Sequence, residues 1–330
     1  MPISEPIDAV ITWVDGQDKI HQKKLAETLK NLGIQQRPVA AEPTRFNECG
    51  ELNYCLQSLS RFAPWLRTIY IVTDEQIPPI VQQLEDKIFI QKIKIIDHRE
   101  IFAGFEDQLP TFNSVAIETV LWRIKGLANR FIYVNDDCAL VRPMAPEDFF
   151  KGNKVVLRGE WKTQTSKKWQ NYLYKLKASL LHQPVKLLAC SQHRTLQENS
   201  AKLAGWEKRF FHLPHVPFPL KRSTFESFFK QHPHLLINNI SYPLRDPKQY
   251  WPISLAYHLE IKNANIVYDN SLQAITVNGA CHSLKKIKQR LKHVTKKNIA
   301  FICMQSIDLA PPSTQRWMLN WLNDKIVNVN

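Results

Sequence analysis

Four apolar runs in the first 140 residues end in acid: VITWVD closes on Asp15, TIYIVTD on Asp74, IKIID on Asp97, and FIYVNDD on Asp136 and Asp137. Runs of this kind, bounded by turn residues, read as buried strands. Open α/β sheets bind ligands just beyond the carboxyl ends of their strands. Acids placed there would share one rim, where hard carboxylate oxygens hold Mg²⁺ or Mn²⁺ and the cation in turn holds a phosphate. The triplet Asn135–Asp136–Asp137 is the strongest single signal. Taken one at a time, Asp15, Asp74 and the Asp97–His98 pair read as turn aspartates; their weight comes from sharing a sheet edge.

Two further residue types suit the same chemistry. His215 lies in HLPHVPFP, where prolines stiffen the backbone on both sides. A histidine held so is a candidate general base near neutral pH. Arg45, Arg123 and Arg245 are candidates for phosphate oxygens, which guanidinium groups meet in a planar fork. The chain has no GxxxxGK[ST] loop, no GxGxxG and no GxSxG. P-loop kinases, ordinary dehydrogenases and α/β-hydrolases lose support accordingly.

The elements that must carry these residues can be read from pattern. Residues 7–14 predict a strand turning at Asp15–Gly16, and residues 18–32 a polar helix. Glu51–Phe62 has helical spacing, with Leu52, Cys55, Leu56 and Leu59 on one face. Ser114 is placed to cap a helix whose apolar face is Val115, Ile117, Leu121, Ile124 and Leu127. Strands alternating with helices predict an α/β fold with a mostly parallel sheet, Rossmann-like or GT-A-like, flanked by helices. The lysine-rich stretch 151–210 predicts a helical, basic insertion or cap. Residues 223–237 and 251–262 look helical. In SLKKIKQRLKHVTKK, Leu284, Ile287, Leu291 and Val294 line one face; the helix either packs on the core or meets an anionic membrane or polymer. Trp317 and Trp321, four apart, read as core.

Bulk composition narrows the class. The 330 residues suffice for one large domain or two smaller ones, and 44% hydrophobic with 22% charged residues is ordinary for a globular protein. No apolar run approaches a bilayer span, and MPISEPIDAV lacks a secretory pattern. Six cysteines without a CxxC pair argue against a zinc ribbon or a disulfide framework and fit a reducing cytoplasm. The net charge of +14 suits an anionic partner, and no nucleic-acid-binding module is recognisable.

At this point the blocks themselves become recognisable. IDAVITWVDG at 7–16 resembles the first signature block of the Stealth family. RFNECGELNYCLQSLSRFAPWLRTIYIVTDEQIPP at 45–79, DHREI at 97–101 and LPTFNSVAIETVLWRIKGLANRFIYVNDD at 109–137 resemble its second. HLPHVPFPLKR with the stretch through Arg245 resembles the third, and FICMQS at 301–306 sits where the fourth belongs. The family includes bacterial capsule-polymer phosphotransferases and the enzyme that adds N-acetylglucosamine-1-phosphate to lysosomal glycoproteins. The resemblance implies one catalytic domain over 1–330. It would move a sugar-1-phosphate from a nucleotide diphosphate sugar, a UDP-sugar being favoured, to a glycan hydroxyl. The product is a phosphodiester in a capsular or other surface polysaccharide.

The roles expected under that resemblance are specific. Asp136 and Asp137 bind the metal or position the diphosphate, and Asp15 assists at the same rim. Arg45 and Arg245 meet phosphate. Glu51, Asp74, Asn113, Glu118, Arg123 and Asn135 contact substrate or orient the groups that do. His215 is the base, with His98 second. The chain also departs from the family pattern: Asn53 and Gln57 stand where two arginines are common, Cys49 where an asparagine is, and Gln305–Ser306 where Asn-Asp usually closes the fourth block. A carboxylate usual shortly after Arg245 gives way to Gln249 or its neighbours. A metal-dependent glycosyltransferase and a degenerate, glycan-binding Stealth protein are the competing expectations. The expected setting is the cytoplasm, with peripheral contact at the inner membrane face.

Overall fold

β1 (Ile7–Thr12) is apolar along almost its whole length, and both of its faces are covered, as a strand inside a parallel sheet requires. In this computed structural model, which describes residues 5–83, 87–165 and 192–328, β1 is the central strand of the main sheet. β2 (Ile69–Thr73) and β3 (Ile93–Asp97) lie on one side, and β4 (Arg130–Asn135) on the other. These four strands are parallel. Thr12 pairs in register with Asn135 and Val72, and Thr73 with Asp97, so all four carboxyl ends reach the same edge.

Immediately after β4 the chain turns through Asp136–Asp137 into β5 (Cys138–Leu140). β6 (Phe218–Lys221) closes the main sheet, antiparallel to β4. β7 (Gln273–Asn278) and β8 (Ile299–Gln305) complete a second sheet, with β8 between β7 and β5. The acid pair therefore sits at the joint between two sheets, and the Met304 N–H donates to the Asp137 carbonyl at 3.0 Å.

Helices α1 (Lys19–Asn31), α2 (Glu51–Phe62) and α3 (Ser114–Val120) fall where spacing placed them. The four α2 residues chosen by periodicity are all buried, each worth about 1.5–3 kcal/mol for a leucine-sized side chain. The cap of α3 differs from expectation. Asn113 supplies it, accepting from the Val115 N–H at 3.1 Å, and the helix gives way to a tight turn at Leu121–Arg123. The stretch 223–237 is not one helix but two, Arg222–Gln231 and Pro233–Ile240, because Pro233 has no N–H to continue the first. α4 (Pro252–Lys262) matches its reading.

The expected helical insertion needs correction. Where described, 151–210 contains strands at Lys154–Leu157, Glu160–Thr163 and Arg209–His212, and helix only at Gln192–Leu203. Glu160–Thr163 pairs with Arg209–His212, and Lys154–Leu157 with Ile266–Tyr268. Residues 166–191, which hold most of the lysine-rich run, lie outside the described residues. In the basic helix α5 (Leu284–Leu291), Ile287 and Leu291 are buried and the lysines face outward. Met318 and Leu322 are buried in the second core, with Trp317 and Trp321 half-buried against it. No helix among the described residues is long and apolar enough to cross a membrane.

Candidate active site

From β1 the chain steps outward to β2 and β3, then returns across the sheet to β4 on the opposite flank. The order reverses between β1 and β4, the point at which open sheets of this type leave a crevice. A cleft of about 800 Å³ opens there, lined from Thr12 at the end of β1 to Asp308 beyond β8.

One wall is acidic. Asp136 and Asp137 enter from the β4–β5 joint and Glu51 from the first turn of α2. The Glu51 carboxylate accepts from the Cys49 N–H, and Glu48 just behind it accepts from the Gly50 N–H at 2.8 Å. Loss of solvation, then the charges of Asp137, Glu51 and Glu48, hold the Asp136 carboxyl well above the usual range. Desolvation first, and Glu48 and Asp137 after its hydrogen bonds, push Glu51 up to about 7. These acids are crowded in a way that a cation would relieve.

His215 faces that wall from the rigid loop before β6. Its Nε2 lies 2.8 Å from Asn135 Nδ2 and 3.1 Å from Asp137 Oδ1. Burial, the largest single effect, lowers the pKa of the imidazole, but the charges of Asp137 and Cys138 and their hydrogen bonds to the ring together outweigh it and the net shift is well upward. Asp137 itself is held below the usual range, since His215 and two thiol donors outweigh its desolvation.

Two arginines line the same cleft and form its basic wall. Arg245 Nη2 donates to Ser114 Oγ at 2.6 Å, and Arg45 Nε to the Val39 carbonyl at 2.7 Å. Neither guanidinium forms an ion pair with a carboxylate among the described residues. Reduced solvation and then repulsion by Arg245 lower the Arg45 pKa, as expected of two cations converging on one space. An anion between them would satisfy both.

The remaining sequence candidates divide. Asp74 lines the cleft but is neutralised by Lys24 at 2.8 Å. His98 lines it from a buried position, and desolvation lowers its pKa to about 4. Asn113 reaches the cleft, yet its amide donates to Tyr242 O and Gln249 Oε1, both at 2.9 Å. Glu118 forms part of the floor. Asp15 does not line the cleft: its Oδ1 accepts from the Gln17 N–H at 2.8 Å, closing the turn after β1. Arg123 is elsewhere, donating to the Ile101 and Ala103 carbonyls beneath the Phe105 ring. Asp97 caps the short helix His98–Ile101.

Sequence reasoning missed Trp251, Asn278 and Asp308 as lining residues. Asp308 had one signal, its place just past the fourth block; it accepts from Thr44 Oγ1 and Asn47 Nδ2, both at 2.9 Å. Trp251 and Asn278 carried none. Gln305 and Ser306, expected from the resemblance to depart from the fourth block, line the cleft directly.

Comparison with known proteins agrees with the first two of the blocks read above. Residues 5–33 match the family model described as Stealth protein conserved region 1, and residues 45–157 that of conserved region 2. An exopolysaccharide phosphotransferase of Streptomyces coelicolor is 33% identical over 262 residues, 78% of this chain and 25% of its own length. A capsular polysaccharide phosphotransferase of Haemophilus influenzae is 38% identical over 238 residues, 71% of this chain and 60% of its own. The chain thus spans a quarter to three fifths of these relatives. The solved structure of galactosyltransferase LgtC with donor and acceptor sugar analogs aligns over 98% of this chain and 97% of its own, at 11% identity and a TM-score of 0.46, too weak a likeness to carry a conclusion.

Proposed function

The chain belongs to the Stealth family, and from that premise we propose that it is a sugar-1-phosphate transferase. The donor is a nucleotide diphosphate sugar, and the acceptor is a hydroxyl of a glycan destined for a capsule or another surface polysaccharide. The observation that carries the reading is that Arg45 and Arg245, neither in an ion pair among the described residues, line the same cleft as the acids Asp136 and Asp137. A diphosphate with its counter-cation is the ligand that satisfies both walls at once.

In such a transfer an acceptor oxygen bonds to phosphorus, the bridging P–O bond breaks, and nucleoside monophosphate leaves. The anomeric C–O bond is untouched. Positioning and charge neutralisation supply most of the rate. Arg45 and Arg245 are placed to hold the phosphate oxygens in line. His215 Nε2, 2.8 Å from Asn135 Nδ2, is placed to take the acceptor proton once an acceptor hydroxyl displaces that amide.

The acidic wall fits a divalent cation. Its donors are hard oxygens, burial and then the neighbouring acids raise the Asp136 pKa, and Asp136 accepts only the Asp137 N–H among the described contacts. Asp136 and Asp137 would hold Mg²⁺ or Mn²⁺. When bound, the ion would neutralise phosphate charge and offset the pull of Asp137 on the His215 proton, leaving the imidazole able to act as base.

The proposal takes residues 1–330 as one catalytic unit, supported by a cleft that draws on elements from β1 to the segment after β8. It includes a UDP-sugar as the favoured donor and, for the outward lysines of α5, peripheral contact with an anionic membrane face.

The test is ³¹P NMR of the protein with UDP-N-acetylglucosamine, Mg²⁺ and a panel of glycan acceptors, beside Asp136→Ala. A new phosphodiester resonance with release of nucleoside monophosphate, absent in the variant, supports the reading. Release of nucleoside diphosphate with no phosphorus in the product would make the protein a glycosyltransferase instead. Ligand binding without turnover would favour the degenerate reading that Gln305 and Ser306 suggest.

A further inference from the structure

Besides His215, Asp137 has two neighbours that the transfer chemistry does not use, the thiols of Cys138 and Cys303. The register of β8 against β5 sets Cys303 directly opposite Cys138. Both cysteines are buried, and both thiols turn to the same carboxylate. Cys303 Sγ donates to Asp137 Oδ2 at 3.2 Å, and Cys138 Sγ to Asp137 Oδ1 at 3.6 Å. His215 Nε2 approaches Oδ1 from the cleft at 3.1 Å. One ligand atom from each of Asp137, Cys138, His215 and Cys303 falls within 4.8 Å of all the others.

Buried cysteines usually act as small apolar side chains. Cys55 does so here, buried in α2 with its thiol 3.8 Å from the Asn135 carbonyl and outside this group. Cys138 and Cys303 differ in meeting a carboxylate and an imidazole. Two sulfurs, one nitrogen and one oxygen form a donor set for a borderline-soft ion, not for Mg²⁺. A tetrahedral Zn²⁺ with bonds of about 2.0–2.3 Å needs ligand atoms roughly 3.3–3.8 Å apart. The three separations to Asp137 oxygens, 3.1, 3.2 and 3.6 Å, lie within or just below that range, and the remaining pairs are within 4.8 Å, so closure draws the ligand atoms together by about 1 Å at most.

We propose that Asp137, Cys138, His215 and Cys303 form a binding site for a thiophilic divalent cation of the Zn²⁺ class, entered from the cleft past Asp137 and His215. The two thiols release their protons to solvent as they ligate, and the imidazole binds through Nε2 in its neutral form. A nitrogen so bound cannot accept a proton, so occupancy silences His215 as a base. That consequence rests on the transfer reading; the site itself does not.

The experiment is titration of the metal-stripped, reduced full chain with Zn²⁺ alone and, separately, with Co²⁺ alone, followed by calorimetry and absorption. One equivalent of each ion is expected, with a thiolate-to-cobalt charge-transfer band and tetrahedral d–d bands. Cys138→Ser and Cys303→Ser should each weaken Zn²⁺ binding by about 100-fold or more, the upper end of what loss of mere supporting contacts costs. Cys55→Ser should change nothing, and circular dichroism checks that each variant is folded. Cobalt binding without the charge-transfer band, or Zn²⁺ affinity unchanged in Cys303→Ser, overturns the proposal. So does a Cys138–Cys303 disulfide that persists in reductant. Asp136→Asn separates the two ideas: it should abolish transfer yet leave the cobalt spectrum intact.

Discussion

The Tyr133 hydroxyl donates to Glu118 Oε1 at 3.1 Å, tying the middle of β4 to α3 beneath the cleft. Thr12 Oγ1 lies 2.9 Å from the same hydroxyl, and the Trp251 indole donates to Glu118 Oε2 at 2.5 Å. A carboxylate at the centre of this network is buried, and desolvation pushes its pKa up to about 7 despite the opposing charge of Arg245 and two hydrogen bonds. The folded chain therefore keeps a proton on Glu118 that the unfolded chain loses near its ordinary pKa of about 4.3. The contribution to stability is fully present below that value and is lost as pH rises through about 7. Urea denaturation of wild type and Glu118→Gln across pH 4–8 checks this. Wild type should lose about 1–3 kcal/mol more than the variant over that range. Parallel pH profiles would remove the assignment.

Gly16 N–H donates to the Phe46 carbonyl at 2.7 Å, which draws the segment carrying Arg45 against the turn after β1. A Cβ at position 16 would stand 2.6 Å from Phe46 Cβ and 2.7 Å from its carbonyl oxygen. The obstruction is backbone and cannot rotate away. Gly16→Ala should displace Arg45 and raise KM for the donor by about tenfold or more, since misplacing a positioning group by an ångström is costly. Steady-state kinetics at constant folded fraction reads it. An unchanged KM would mean that the turn does not set the position of Arg45.

At the opposite edge of the sheet, Arg67 Nε and Nη2 donate to the carboxylate of the fully buried Asp8, at 2.8 and 2.5 Å. The Ala128 N–H adds a third donor at 2.7 Å. Removing Arg67 leaves a buried charge with one backbone partner. Because Arg67 is itself 43% exposed, the expected cost of Arg67→Ala is about 3 kcal/mol, the low end for breaking a buried pair. Thermal unfolding should show the loss. Ligand affinity of the folded fraction should not change, because Arg67 lies far from the strand ends that form the cleft.

The legible part of the site was the part set by parallel strands. Once VITWVD and FIYVNDD are neighbouring strands, their acidic ends must reach one edge, and Asp136 and Asp137 follow. Asp15 and Asp97 were illegible because local backbone N–H groups compete for a short carboxylate; Gln17 takes one and Arg99 the other. Arg123 was misread because the loop carbonyls it satisfies have no sequence signature. The strands inside 151–210 pair with partners far along the chain, so their identity lies in tertiary context and not in periodicity. Cys138 and Cys303 have no metal-ligand spacing at all; only the register of β8 on β5 brings them together.

Arg45 and Arg245 offer the most direct test of the basic wall, since they can be probed without turnover. Inorganic pyrophosphate, titrated in the absence of divalent ions, presents the diphosphate charge alone. A hydrogen bond to a charged group contributes about 1.5–3 kcal/mol, and each 1.4 kcal/mol is about tenfold in affinity. Arg45→Ala and Arg245→Ala should each weaken binding by about 10- to 100-fold. The double variant should lose less than the product of the two, because removing either cation also removes repulsion from the other. Arg123→Ala, whose guanidinium is spent on the Ile101 and Ala103 carbonyls, should bind as wild type does. If Arg123→Ala weakened pyrophosphate binding while Arg245→Ala did not, the diphosphate would have to lie outside this cleft.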